Sequence, residues 1–133
     1  MVISPKILVL GAGGIGGYFG GRLVESGADV TFLVRDERRK LLDERGLRIE
    51  SPFGDARLTV TTAAVTDIEP IYDAIILTCK AYDLDPAVAA TTPALARTGY
   101  VLPLLNGIAH MDVLNRHFGA DRVLAASSRF SRR

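Results

Sequence analysis

Three glycines, Gly11, Gly13 and Gly16, stand in a G-x-G-x-x-G spacing between the apolar run at residues 7–10 and a stretch with helical patterning. In that setting each glycine has a chemical reading. Gly11 makes the tight turn, Gly13 leaves no side chain to block a pyrophosphate, and Gly16 lets the following helix pack close to the strand. The helix N-terminus then offers N–H groups and the positive end of its dipole to an anion. Gly11, Ala12, Gly13, Gly14, Ile15 and Gly16 are therefore the candidate cofactor-binding turn. A glycine-rich turn with no ligand is the competing reading, and the legible strand and helix on either side weigh against it.

A second group of candidates lies at the end of the next apolar run. Dinucleotide sites place an acidic residue about 20 residues past the last motif glycine, where it holds the ribose hydroxyls; an arginine there suits a 2′-phosphate instead. Counting falls on Asp36, directly after Arg35, and leaves both readings open. Arg38, Arg39 and Lys40 add further cations, at least two of which read as the wet face of a short helix. Asp36 could alternatively cap that helix, which contains Leu41 and Leu42. Cys79-Lys80 and Asn106-Gly107 follow two later apolar runs. Lys80 is either a crevice cation or a solvated strand end, Cys79 reads as packed rather than reactive, and Asn106 is either a crevice amide or half of a common turn pair. His110 and His117, seven residues apart with no third ligand beside them, read as surface or turn-packing residues and not as metal ligands.

The elements that must position these residues form a β-α-β alternation. Residues 7–10 read as a central parallel strand covered on both faces. A helix over about Gly14 to Ser26 follows, with Ile15, Phe19 and Leu23 spaced four apart on its buried face. Gly17, Gly20 and Gly21 weaken that helix by propensity and read as close packing against strand or cofactor. Gly27 suits the position just after its end, and residues 30–34 supply a second buried strand. After Gly46, the alternation at residues 47–49, a turn at residues 51–54 and a return through Leu58, Val60 and Thr62 suggest edge structure without chemistry. Residues 72–79 form the next buried strand. A helix capped by Asp83 or Asp85 follows it, with Pro86 in the first turn and Pro93 ending or kinking the helix. A strand over residues 100–105 contains Pro103, which points to an exposed backbone face or a bend. Met111, Leu114 and Phe118 mark one face of a last helix, and residues 123–126 a last short strand. The fold class is α/β, a Rossmann-like, mostly parallel sheet with helices on both faces, read as incomplete at its C-terminal end.

Composition narrows the function classes. With 133 residues, 48% apolar and 23% charged, the chain has room for one globular domain. A formal charge of +1 gives no broad positive field, so no nucleic acid is expected as partner. A single cysteine excludes an intrachain disulfide and fits a reducing, cytoplasmic setting. The apolar start runs straight into the glycine turn and reads as structure rather than a signal peptide. No apolar run approaches the length of a membrane span, so no membrane is expected.

An ordered series of segments resembles the N-terminal domain of the ketopantoate reductase (2-dehydropantoate 2-reductase) family. It comprises Lys6-Ile-Leu-Val-Leu-Gly-Ala-Gly-Gly-Ile-Gly-Gly-Tyr-Phe-Gly20, Val30-Thr-Phe-Leu-Val-Arg35, Gly46-Leu-Arg-Ile49, Cys79-Lys-Ala-Tyr82 and Leu104-Leu-Asn-Gly107, followed by Met111-Asp and Phe118-Gly119. The series covers nearly the whole chain and is specific for the family, less so for the substrate. The resemblance implies an NADPH-dependent reductase that transfers hydride to the 2-keto carbon of 2-dehydropantoate, giving pantoate for pantothenate and coenzyme A. It also implies that the arginine ending the second strand, Arg35, meets the 2′-phosphate, which tips the contest with Asp36 towards NADP. It assigns Lys80 and Asn106 to the cofactor–substrate crevice as catalytic and cofactor-binding residues.

The resemblance further implies a second, mostly helical domain that supplies the main catalytic lysine and an acidic residue for the substrate hydroxyl. Residues 1–126 then form the NADP-binding domain, and residues 127–133 a polar, basic tail. By itself the stretch is expected to be inactive, and the face on which the helical domain docks is expected to invite self-association or a partner. Two other functions stay open: a reductase of another 2-keto acid, and a non-catalytic nucleotide-binding or interaction module.

Overall fold

The computed structural model describes residues 5–11, 14–78, 84–104 and 109–124. In chain order these form β1 (Lys6–Leu10), α1 (Gly14–Glu25), β2 (Asp29–Leu33), α2 (Asp36–Arg45), β3 (Leu47–Ile49), β4 (Ala56–Leu58) and β5 (Thr61–Ala63). They continue with β6 (Tyr72–Leu77), α3 (Leu84–Thr91), β7 (Leu95–Pro103) and α4 (Ala109–Phe118). Five strands make one sheet in the order β5-β2-β1-β6-β7, every pairing in it parallel. An isolated parallel bridge between Val101 and Val123 starts a further position outside β7. With the β3–β4 hairpin set aside, the five strands follow the 3-2-1-4-5 part of the 3-2-1-4-5-6 order of a doubly wound dinucleotide-binding sheet.

The central strand explains itself by its sequence. Leu8 and Val9 point to opposite faces and both are fully buried, as a strand with helices on both sides requires. On one face Val9, Phe32 and Ile76 pack with Leu23 and Val24 of α1, Leu42 of α2 and Leu47 of β3. On the other, Leu77 and Val101 pack with Leu84, Ala87 and Val88 of α3 and with Met111, Leu114 and Phe118 of α4. Leu8 and Ile75 on that second face meet Ala90 and Ala94. The three apolar positions read for α4 are thus its buried face.

Helix α1 departs from its apolar spacing. Phe19 is 48% exposed, whereas Gly16, Gly17, Gly20 and Gly21 are buried; the Ile15 side chain lies outside the described residues. A Cβ added at Gly20 would stand 2.6 Å from a Phe32 ring carbon and 3.2 Å from Val9 Cγ2. One added at Gly21 would stand 2.6 Å from Ile49 Cδ1. The helix therefore meets both the sheet and the β3–β4 hairpin through its glycines, and Phe19 turns outward against Tyr18, edge to face.

The interlude between β2 and β6 does two jobs. β5 joins the main sheet as its edge strand. The β3–β4 hairpin instead packs on α1, where Arg22 Nη2 donates to the Gly54 carbonyl at 2.6 Å and Nη1 to Glu25 at 2.7 Å. Hydrogen bonds to Glu25 and then to Tyr18 raise the Arg22 pKa above its ordinary value. Gly46 ends α2 as its composition suggests, with φ 77° and its N–H donating to Leu42 O.

Three further expectations shift. Helix α2 begins at Asp36 with Arg35 as its N-cap and no side-chain capping bond, so Asp36 is inside the helix, where its charge favours the dipole without capping it. Asp85 likewise lies inside α3, and Asp83 is outside the described residues. The chain enters β7 at Leu95 rather than Tyr100, through a register irregularity opposite Tyr72 to Ala74. Arg122 holds this stretch by donating to the Gly99 and Ala96 carbonyls at 3.0 and 2.6 Å. Pro103 ends β7 in a buried position. Its neighbour Leu104 donates to Leu77 O, so by alternation the Pro103 nitrogen faces away from β6, and the β6–β7 ladder loses no bond to it.

Close packing at Gly20 makes a direct stability prediction. Alanine raises helix propensity by about 1 kcal/mol over glycine, but a methyl forced against the buried Phe32 ring costs typically about 1–3 kcal/mol. Gly20→Ala is expected to be net destabilising in chemical denaturation, while Phe19→Ser stays within about 0.5 kcal/mol of the parent.

Candidate functional site

The carboxyl ends of the parallel strands form one laced edge. Gly11 N donates to Leu33 O at 2.9 Å, Val34 N to Ala63 O at 3.0 Å, and Leu104 N to Leu77 O at 2.9 Å. Between β1 and β6, where the winding of the sheet reverses, backbone pairing stops at Val9 and Ile76. One step beyond it, Thr78 Oγ1 donates to Leu10 O at 2.9 Å. Open α/β sheets take their ligands at such a reversal, outside the carboxyl ends of the strands.

The candidate residues fall on this edge as follows. Gly11 follows β1 with φ 81° and open space where a Cβ would go, so the requirement for glycine there is conformational. Ala12 and Gly13 lie outside the described residues. Gly14 and Ile15 open α1, a helix long enough to carry a dipole and without an acidic residue in its first turn. Its N-terminal N–H groups thus face no competing carboxylate of their own helix. Gly16 is buried, and a Cβ there would lie 2.6 Å from Thr78 Oγ1 and 3.4 Å from the Leu10 and Gly11 carbonyl oxygens.

Arg35 sits at the end of β2, one strand away from Gly11. Its backbone (φ −74°, ψ 158°) starts α2, its side chain is exposed, and it has no hydrogen-bond or ion-pair partner among the described residues. Asp36 and Glu37 stand beside it in the first turn of α2, so the competing acidic candidate lies in the same segment. Arg39 is committed elsewhere. It donates to Thr62 Oγ1 at 3.3 Å and pairs with Asp67 at 3.0 Å, tying α2 to β5 instead of forming part of a solvated face. Lys40 is exposed.

Lys80 and Asn106, with Cys79, lie outside the described residues, although they follow directly on β6 and β7 in the chain. His117 is engaged in a side-chain hydrogen bond with Thr92. Thr92 Oγ1 donates to Val88 O at 2.6 Å, which leaves His117 Nε2, 2.7 Å away, as the donor to that hydroxyl. Among the described residues no three His, Cys, Asp or Glu side chains gather as a metal site would need, and no helix is long and apolar enough to cross a membrane. A groove of about 430 Å³ lies at the opposite end of α2, between residues 42–46 and 57–60, remote from the strand ends.

Thr78 is the participant that pattern reading missed. Its only signal is a hydroxyl residue closing an otherwise apolar buried strand.

The family model of ketopantoate reductase PanE/ApbA matches residues 7–132. The chain belongs to this family. It is 39% identical over 119 residues to the uncharacterized oxidoreductase YkpB of Bacillus subtilis strain 168, a match covering 90% of the chain and 39% of the relative. It is 41% identical over 104 residues to the 2-dehydropantoate 2-reductase of Pyrococcus horikoshii, covering 77% of the chain and 33% of that enzyme. Among solved structures, D-mandelate dehydrogenase with NADH and anilino(oxo)acetate superposes with a TM-score of 0.79 at 27% identity, over 89% of the chain and 39% of its own. The 2-dehydropantoate 2-reductase of Geobacter metallireducens GS-15 gives the same TM-score, identity and coverage. The chain thus spans between a third and two fifths of the length of these relatives.

The turn after β1 makes its own prediction. Placing a Cβ on the left-handed backbone of Gly11 costs roughly 1–2 kcal/mol, with no steric clash to add to it. Gly11→Ala is expected to lower stability by about that amount in urea titration.

Proposed function

We propose that this chain is the cofactor-binding part of an NADPH-dependent reductase of 2-dehydropantoate, with residues 1–126 as the nucleotide-binding domain and 127–133 as a tail. The single observation that carries the cofactor choice is Arg35: an exposed guanidinium at the end of β2, unpartnered among the described residues, while Arg39 in the same helix is engaged. Family membership supports the reaction class.

On this reading Gly11 to Gly16 and the N-terminus of α1 hold the pyrophosphate. Arg35 takes the 2′-phosphate through paired, charge-assisted hydrogen bonds. Bound NADPH supplies the hydride. Asn106 orients the keto acid or the carboxamide of the cofactor through its amide, and Lys80 Nζ sets a positive charge near the carboxylate or keto oxygen of the substrate. Reduction of a ketone needs a positioned acid or cation at the oxygen. The family resemblance assigns that duty to a lysine of a second, helical domain. The 133-residue stretch assayed by itself is therefore expected to bind cofactor with negligible turnover.

A second reading has an observation of its own. D-mandelate dehydrogenase, which superposes as well as the reductases do, was solved with NADH, and counting from the glycine turn falls on Asp36, an acidic residue that would suit ribose hydroxyls. In this reading the chain serves NADH and another 2-keto acid.

Fluorescence titration with each nucleotide separates the two. The parent is expected to prefer NADPH, and Arg35→Ala to lose about tenfold or more in NADPH affinity while NADH changes by less than about twofold. NADH bound as tightly as NADPH, unaffected by Arg35→Ala and weakened by Asp36→Asn, would overturn the NADPH reading. With NADPH and 2-dehydropantoate present, the reduced-nicotinamide absorbance is expected to stay constant; rapid turnover abolished by Lys80→Ala would instead make Lys80 the acid.

A further inference from the structure

Thr78 makes two contacts that converge on the turn between β1 and α1. Its hydroxyl donates to Leu10 O at 2.9 Å, across a separation of 68 residues in sequence. The same oxygen occupies the space a side chain at Gly16 would need, 2.6 Å from the position of that Cβ. The Leu10 carbonyl is the last acceptor of β1 on the β6 side, one step past the final backbone pair at Val9 and Ile76. On the β2 side the next residue, Gly11, is already held by its N–H on Leu33 O. Thr78 therefore closes the remaining side, and the end of β1 is held from both neighbouring strands.

We propose that Thr78 is a positioning residue for the phosphate-binding turn: its hydroxyl fixes the end of β1, and its oxygen sets how closely the first turn of α1 approaches the sheet. Threonine suits this task because its branched Cβ restricts χ1, so the oxygen cannot swing away without losing the bond to Leu10. Gly16 is then glycine because of Thr78, and the two positions form one unit. Serine keeps the hydroxyl, valine keeps the shape and removes the donor, and alanine removes the atom that crowds position 16. This inference rests on the nucleotide-binding reading for its ligand, but its geometry stands apart from it.

The test uses the full chain with two independent readouts. In NADPH titrations well below the melting temperature, Thr78→Val is expected to bind at least about fivefold more weakly, one hydrogen bond's worth, and Thr78→Ser to restore most of the affinity. Gly16→Ala is expected to bind weakly by itself and to recover in part when Thr78→Ala is added, a non-additivity that two independent sites do not show. In the ligand-free chain, amides of residues 10–21 are expected to exchange with deuterium faster in Thr78→Val than in the parent, with Thr78→Ser resembling the parent. Thr78→Ala run in parallel serves the same comparison if the valine variant does not fold. The proposal is overturned if Thr78→Val binds NADPH within twofold of the parent with unchanged exchange, or if the Gly16→Ala and Thr78→Ala effects simply add. A parent chain that binds no NADPH would sink the cofactor reading alone, and the exchange comparison would still decide the role of Thr78.

Discussion

The distance between α1 and the sheet is set by missing side chains. Gly16 meets Thr78, Gly20 meets Phe32 and Val9, and Gly21 meets Ile49 and Leu47. Four buried glycines in one short helix are costly by propensity. Dispersion between closely packed surfaces offsets that cost only where the match is tight, and here the helix backbone lies directly on fully buried side chains such as Phe32 and Val9. The consequence reaches the site. A helix held this close has its N-terminus aimed at the end of β1, where the sheet reverses its winding.

That reversal divides the molecule. α1 and α2 cover the face built on Val9, Phe32 and Ile76, and α3 and α4 cover the face built on Leu8, Ile75, Leu77 and Val101. Arginines then tie the peripheral pieces to this frame: Arg22 holds the hairpin turn to α1, Arg39 holds the end of β5 to α2, and Arg122 holds the irregular start of β7. Each takes up backbone carbonyls or a carboxylate through its fork of donors. Arg35 differs from these three in that its exposed side chain has no partner among the described residues.

The parallel sheet was legible because its strands are near-continuous apolar runs bounded by glycine, proline or charge, as in residues 7–10, 30–34 and 72–77. Gly11 was legible as a turn residue, and it has the left-handed φ of 81° that such a turn requires. The buried face of α1 was legible in part: the close packing read for Gly20 and Gly21 and the inward Leu23 stand, but Phe19, at the expected apolar spacing, points to solvent because the glycines beside it occupy the contact. Asp36 and Asp85 were offered as caps, but α2 begins one residue earlier and α3 two residues earlier than a cap at those positions would allow, and in α2 the cap carries no side-chain bond. Gly99 looked like a strand boundary, yet pairing with β6 and the grip of Arg122 carry the strand through it. Thr78 escaped notice because its partner is a backbone carbonyl 68 residues away, a relation that local sequence does not encode.

The way α2 begins has an evolutionary consequence. Its first turn is anchored by the main chain of residue 35, whose carbonyl accepts from Arg39 N at 2.9 Å, and the side chain at that position has no share in the anchoring. Replacement of Arg35 by a shorter or oppositely charged residue leaves every described backbone bond of the helix start intact. Position 35 is therefore a place where the side chain can change by single substitutions while the backbone start of α2 keeps its bonds.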